Sequence, residues 1–213
     1  MRYFLQLLVA SVLFLNSHVV FSVEPSQAQI IQWINNIQAS AANPSRNIKV
    51  ENTQKVYLKS GEEAYLSSVY FNESARNFWG GYILTRPKLK QSKILDFGGQ
   101  TNTFQVFEYY AQGRTFNIFE VQNASSGQGA MEGEKVVIVI DGWNVKTLSR
   151  LEEQDVSAAV DEESCKTHNN QQGYFNMMPY QNILIMTTIR SNACENLKLS
   201  DYKVNTKLVE INL

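Results

Sequence analysis

Ten short runs of alternating or β-branched residues, each bounded by Gly, Pro, Asn or Ser clusters, constrain this chain more than any other feature. They are "QKVYLK", "EEAYLSSVYF", "WGGYILT", "SKILDFG", "TFQVFEYY", "TFNIFEVQ", "KVVIVID", "WNVKTLSRL", "QNILIMTTIR" and "TKLVEINL". A strand sends successive side chains to opposite faces, so a period of two reads as a half-buried strand. So many runs at close spacing predict a mainly β fold: an antiparallel sheet or sandwich of about ten strands. One segment departs from this period. In "EPSQAQIIQWINNIQASAANP", Ile30, Ile31, Trp33, Ile34 and Ile37 recur at helical spacing, with Pro25 suiting a first turn and Pro44 a stop. The expected layout is one N-terminal amphipathic helix over about residues 26–42 and strands from about 47 onward, in a single domain spanning 23–213.

Two turns organise the middle of the chain. Asp141-Gly142, between "VVIVI" and "WNV", is a strong tight-turn signal. The second follows from an internal repeat, "TFQVFEY" at 103–109 and "TFNIFEV" at 115–121. If Gln112 and Gly113 form a two-residue turn, Tyr109 faces Phe116, Phe107 faces Ile118, Val106 faces Phe119 and Phe104 faces Val121. The first two pairs share one side of the ribbon and the last two the other. Such a hairpin changes its apolar face halfway, which a bulge, a strong twist or cover on both faces would each satisfy.

The first 22 residues, "MRYFLQLLVASVLFLNSHVVFS", carry a basic residue, an apolar stretch from Tyr3 to Leu15, and Val20 and Ser22 at the positions before a cut. They read as a signal peptide of a secreted or periplasmic protein. Asn16, Ser17 and His18 end the apolar run short of a membrane span, and no later segment is long enough, so no span is expected once the signal is removed. A formal charge of −1 gives no support for nucleic-acid binding. Cys165 and Cys194, an even pair in an exported chain, are expected to form a disulfide closing a loop of about 30 residues, worth roughly 3 to 4 kcal/mol.

The common catalytic patterns are missing. A Ser or Cys nucleophile needs a base, and downstream of the signal the only histidine is His168, in the polar stretch "CKTHNNQQG". "NASSG" lacks the first glycine of a nucleophile elbow, and "GEKVVIVI" continues as a strand where a phosphate loop would open a helix. Zinc and calcium patterns are absent too, so no metal and no cofactor is expected. Paired carboxylates for sugar hydrolysis leave no local signature, and envelope polysaccharide binding or cleavage stays open as an alternative, as does a structural envelope protein.

What remains is a long polar stretch, "NASSGQGAMEGEK" at 123–135, between two apolar runs. It reads as an overlong hairpin loop. Gly127, Gly129 and Gly133 allow close backbone approach, and Ser125, Ser126 and Gln128 offer short polar arms. Ser125, Ser126, Gly127, Gln128 and Gly129 are the candidate partner-binding loop. Six of the twelve residues from Glu152 to Glu163 are acidic: Glu152, Glu153, Asp155, Asp161, Glu162 and Glu163 form a candidate electrostatic patch for a cationic partner.

The succession "FWGGYILTRP", "TFNIFEVQ" and then "SSGQG" before a further strand resembles the periplasmic inhibitors of invertebrate-type lysozyme, over roughly residues 78–148. Members of that family are antiparallel β proteins that push a Ser-Gly loop into the lysozyme cleft. The resemblance implies Ser126 and Gly127 as the inserting pair and a secreted protein such as lysozyme as the partner. In place of the tyrosine that family carries next, this chain has Gln128, Gly129 and Ala130.

Overall fold

The computed structural model describes residues 23–34, 48–71, 80–127, 130–155, 170–178, 181–191 and 198–213. Helix α1 spans Gln27–Ile34. Its start is a capping box: the Gln29 N–H donates to Ser26 Oγ at 3.3 Å, and the Ser26 N–H donates to Gln29 Oε1 at 2.9 Å. Ile30 and Ile34 are the buried stripe, as the helical spacing predicts; Ile37 and the rest of the expected helix lie outside the described residues. Among the described residues no helix is long and apolar enough to cross a membrane.

Among the described residues eleven strands form two antiparallel sheets, so the chain is mainly β. The first sheet is a meander of β1 (Ile48–Tyr57), β2 (Glu63–Phe71), β3 (Gly80–Arg86) and β4 (Gln91–Ile94). The second is a seven-stranded meander of β5 (Thr101–Ala111), β6 (Arg114–Gly127), β7 (Ala130–Asp141), β8 (Asn144–Asp155), β9 (Asn170–Met178), β10 (Ile183–Ser191) and β11 (Tyr202–Glu210).

Strand alternation divides the core into layers. From β2 and β3, Leu66, Tyr82 and Leu84 face Phe104, Phe119, Val121, Val136, Ile138 and Ile140 of the second sheet. Val69 and Ile83 face the other way and meet Ile30 and Ile34 of α1. On its far side the second sheet buries Tyr109, Phe116, Ile118, Val137 and Val139 under Phe175, Leu184 and Ile211 of its C-terminal part. The sheet doubles over itself there because β8 and β9 share one register pair, Gln154 with Gln171, and then diverge. Lys146 Nζ donates to the Asn212 carbonyl at 2.7 Å, and Tyr109 pairs with Asn182, closing the fold-over.

The β5–β6 hairpin has the register expected of a Gln112-Gly113 turn: Tyr109 opposite Phe116, Phe107 opposite Ile118, Val106 opposite Phe119 and Phe104 opposite Val121. Both turn residues have positive φ, +52° and +77°. Of the three ways to reconcile its changing apolar face, this structure uses cover on both faces. At the β7–β8 hairpin, β7 ends on Asp141 and β8 starts on Asn144, so the two turn residues are Gly142 and Trp143, one place later than expected, with φ of +60° on Gly142.

Two expectations are corrected. Residues 123–135 are not a long loop: β6 runs through Gly127 and β7 starts at Ala130, with ladder partners from Asn123↔Glu134 to Gly127↔Ala130. Polar, glycine-rich sequence forms strand here because Gln100 and β7 satisfy its backbone from both sides. A strand also appears where none was read, β9, whose "NQQGYFNMM" carries too few apolar residues to show a period.

Candidate functional site

The site is built by register. Val121 of β6, Val136 of β7 and Arg150 of β8 lie in one row across the three strands. Two residues further along, on the same face, come Asn123, Glu134 and Glu152, then Ser125, Glu132 and Gln154. The first of these rows borders the apolar core under the first sheet. The next two run past its cover, and all of their residues except Gln154 line an open cleft of about 250 Å³.

A bulge puts Glu152 there. Val137 pairs with Ser149 but Ile138 pairs with Thr147, so Leu148 is an extra residue on β8. Counted from the Gly142-Trp143 turn without that bulge, Glu134 would face Leu151. With it, Glu134 faces Glu152. Like charges directly opposite on adjacent strands are destabilising. Arg150 offsets part of this, Nη1 donating to Glu134 Oε2 at 2.7 Å.

One rim of the cleft is backbone. Gly98 and Gly99, on the crossover between the sheets, lie so close to their neighbours that a Cβ on Gly98 would sit 2.2 Å from the Gly80 carbonyl oxygen, and one on Gly99 2.7 Å from that of Ala124. Asn102 pins the segment, accepting from the Gly99 N–H and donating to the Gly99 carbonyl, each at 3.0 Å.

Asn123 lies at the inner edge of the cleft and is 5% exposed. Its Nδ2 donates to Glu134 Oε1 at 3.3 Å, while Oδ1 is buried and has no hydrogen-bond donor among the described residues.

The structure joins one residue of the candidate loop, Ser125, to one of the candidate acidic patch, Glu152, in a single cleft. Ser126 and Gly127 are exposed at the end of β6, and Gln128 and Gly129 lie outside the described residues. The acidic patch is not continuous. Glu153 points to the opposite face from Glu152, where Lys135 Nζ lies 3.0 Å away, Gln122 Nε2 donates at 2.9 Å and the Gly173 N–H at 3.1 Å. Asp155 shares the parity of Glu153, and Asp161, Glu162 and Glu163 lie outside the described residues. Cys165, Cys194 and His168 lie outside them as well.

Sequence reasoning missed Glu132 and Glu134 as site residues. The signal was the alternation Glu132, Glu134, Val136, Ile138, Ile140, which sets two carboxylates in line with three core side chains. Behind the same strands, Glu120 is buried; desolvation pushes its carboxyl above the usual value, Lys135 opposes that and Glu153 adds to it.

No protein-family model matches this chain, and neither the curated proteins nor the solved structures give a match.

Proposed function

We propose that this chain is an exported, non-enzymatic binding domain that engages a basic protein with the open end of its β6–β7 hairpin. The observation that carries this reading is the cleft itself: three glutamates beside an exposed Ser126-Gly127 pair, on a strand ladder backed by two packed layers. A sheet that keeps two carboxylates opposed gives up stability unless an outside cation repays it. The signal-like first 22 residues support export, and the Cys165–Cys194 pair would suit an oxidising compartment. The specific form, suggested by the resemblance to lysozyme inhibitors, is inhibition of a wall-degrading enzyme through Ser126 and Gly127; lysozymes are basic, and an acidic docking end would steer them in.

Titrating the purified protein into lysozymes of the different types tests this form. Stoichiometric loss of activity for one type is expected, and full activity at micromolar excess retires it.

The same carboxylates favour a second reading, cleavage of an envelope polysaccharide, since two facing glutamates are what such chemistry requires. It ranks lower because both Glu134 oxygens already accept hydrogen bonds, from Arg150 and Asn123, which leaves that carboxylate ill placed to protonate a leaving group. Release of reducing ends from cell-wall glycan, abolished by Glu152→Gln, would reverse the ranking.

A further inference from the structure

We infer that the cleft between Asn123, Glu132, Glu134 and Glu152 is a receptor for one basic side chain of the partner protein, with Asn123 Oδ1 as its buried acceptor. This rests on the proposal that the β6–β7 end is the docking surface, and adds to it the chemistry of the anchor.

Three observations converge. A buried amide oxygen without a donor costs about 1 to 3 kcal/mol, and the residue that carries one here, Asn123, also lines the cleft, so a donor brought in there has an acceptor to reach once the amide is opened to it. The orientation of that amide is not arbitrary, because the bond from Nδ2 to Glu134 would be lost on a flip. The surrounding charge is negative: Glu132, Glu134 and Glu152 line the cleft and Arg150, bonded to Glu134, is the cation beside them. An incoming group must therefore both donate hydrogen bonds and carry positive charge, which an ammonium or guanidinium does.

Other occupants fit less well. Among the described residues no group of three His, Cys, Asp or Glu side chains is placed to hold a metal ion, in keeping with the engagement of both Glu134 oxygens. A volume of about 250 Å³ lies below the roughly 300 to 1,000 Å³ of small-molecule pockets and suits a single side chain. Arg150 already shows that a guanidinium is accepted at this edge. Arginine is favoured over lysine, since its planar fork can reach Asn123 Oδ1 and a carboxylate together.

The test is a titration of the isotope-labelled protein, followed by amide NMR, with four probes: acetyl-Gly-Arg-Gly-amide, its lysine and citrulline counterparts, and spermidine. Saturable shifts at the Asn123 side-chain amide, Gly133 and Glu134 are expected with the arginine peptide and, more weakly, with the lysine peptide. Citrulline, which keeps N–H donors but not the charge, should bind at least about tenfold more weakly. Glu132→Gln with Glu152→Gln, both at exposed positions, should weaken the arginine peptide about tenfold without unfolding the chain. No shifts at these residues, equal binding of citrulline, binding of spermidine alone, or indifference to the double substitution would overturn the assignment. If the arginine peptide binds in the cleft but no lysozyme is inhibited, the inhibitor reading falls and the receptor stands. If a lysozyme is inhibited equally by the parent and the double variant, the receptor falls and the inhibitor reading stands.

Discussion

The side-chain amide of Gln100 takes the place of a strand for Ser126. Gln100 Oε1 accepts from the Ser126 N–H at 2.7 Å and from its Oγ at 3.0 Å, and Gln100 Nε2 donates to the Ser126 carbonyl at 3.2 Å. Next to it, the Gln100 N–H bonds the Ala124 carbonyl at 2.8 Å. On its other side Ser126 is the ladder partner of Met131. The exposed end of β6 is thereby held in one conformation before any partner arrives, which lowers the ordering cost of binding.

Gln100→Ala should free the Ser126 amide while leaving the core intact. Amide exchange at Ser126 is expected to accelerate at least about tenfold, corresponding to the loss of roughly 1 kcal/mol or more of local protection, with Phe119 and Ile138 unchanged. Unaltered exchange at Ser126 would mean that the β7 pairing alone holds the hairpin end.

Leu151 fills the space above Gly173. A Cβ on Gly173 would lie 1.8 Å from Leu151 Cδ2 and 2.6 Å from its Cγ, and Leu151 is 3% exposed and has little room to retreat. Gly173→Ala should cost about 1 to 3 kcal/mol by overpacking, and Leu151→Ala about 2 to 5 kcal/mol by the cavity it leaves. In the double variant the new methyl enters the vacated space, so urea unfolding should give a combined loss smaller than the sum of the two. Strict additivity would show that the two sites do not share that volume.

How much of this was legible in the sequence depended on whether local chemistry or tertiary context decided the outcome. The β5–β6 register could be read because a Gln-Gly turn fixes which residues oppose one another, and side-chain alternation does the rest. The end of β6 could not, since Asn, Ser and Gly resist strand locally and are made to comply by Gln100, sequence-distant at 26 residues. The site was hidden for a different reason. Glu134 and Glu152 meet only because Leu148 is an extra residue on β8, and nothing in "WNVKTLSRL" announces a bulge. Asn123, quoted within a polar loop, gave no hint that its Oδ1 would be buried.

Stability should vary with pH through Glu120. Burial raises its carboxyl above the ordinary value of 4.5, so the folded chain keeps this proton to higher pH than the unfolded chain does. The associated stability is complete below 4.5 and is lost as pH rises through the elevated folded value. Glu120→Gln, neutral and nearly isosteric, should therefore raise the urea midpoint near pH 7 relative to the parent and leave it unchanged near pH 4. Equal destabilisation at both would mean that the Glu120 carboxyl is needed by Lys135 in the fold.

Arg86 ties the first sheet to the β7–β8 turn. Its Nε donates to Glu62 Oε1 at 2.9 Å and its Nη2 to the other carboxylate oxygen, a two-point pair in which both side chains are more than four-fifths buried. The guanidinium also stacks 4.8 Å from the Trp143 ring centroid. Lysine keeps the charge but neither the fork nor the flat stacking surface. Arg86→Lys should cost about 1 to 2 kcal/mol by urea unfolding. Arg86→Lys in a Trp143→Leu background should cost less, because the stacking part is already gone. If the lysine variant is as stable as the parent in both backgrounds, a point charge at this position suffices and the geometry of the guanidinium contributes nothing to joining the sheets.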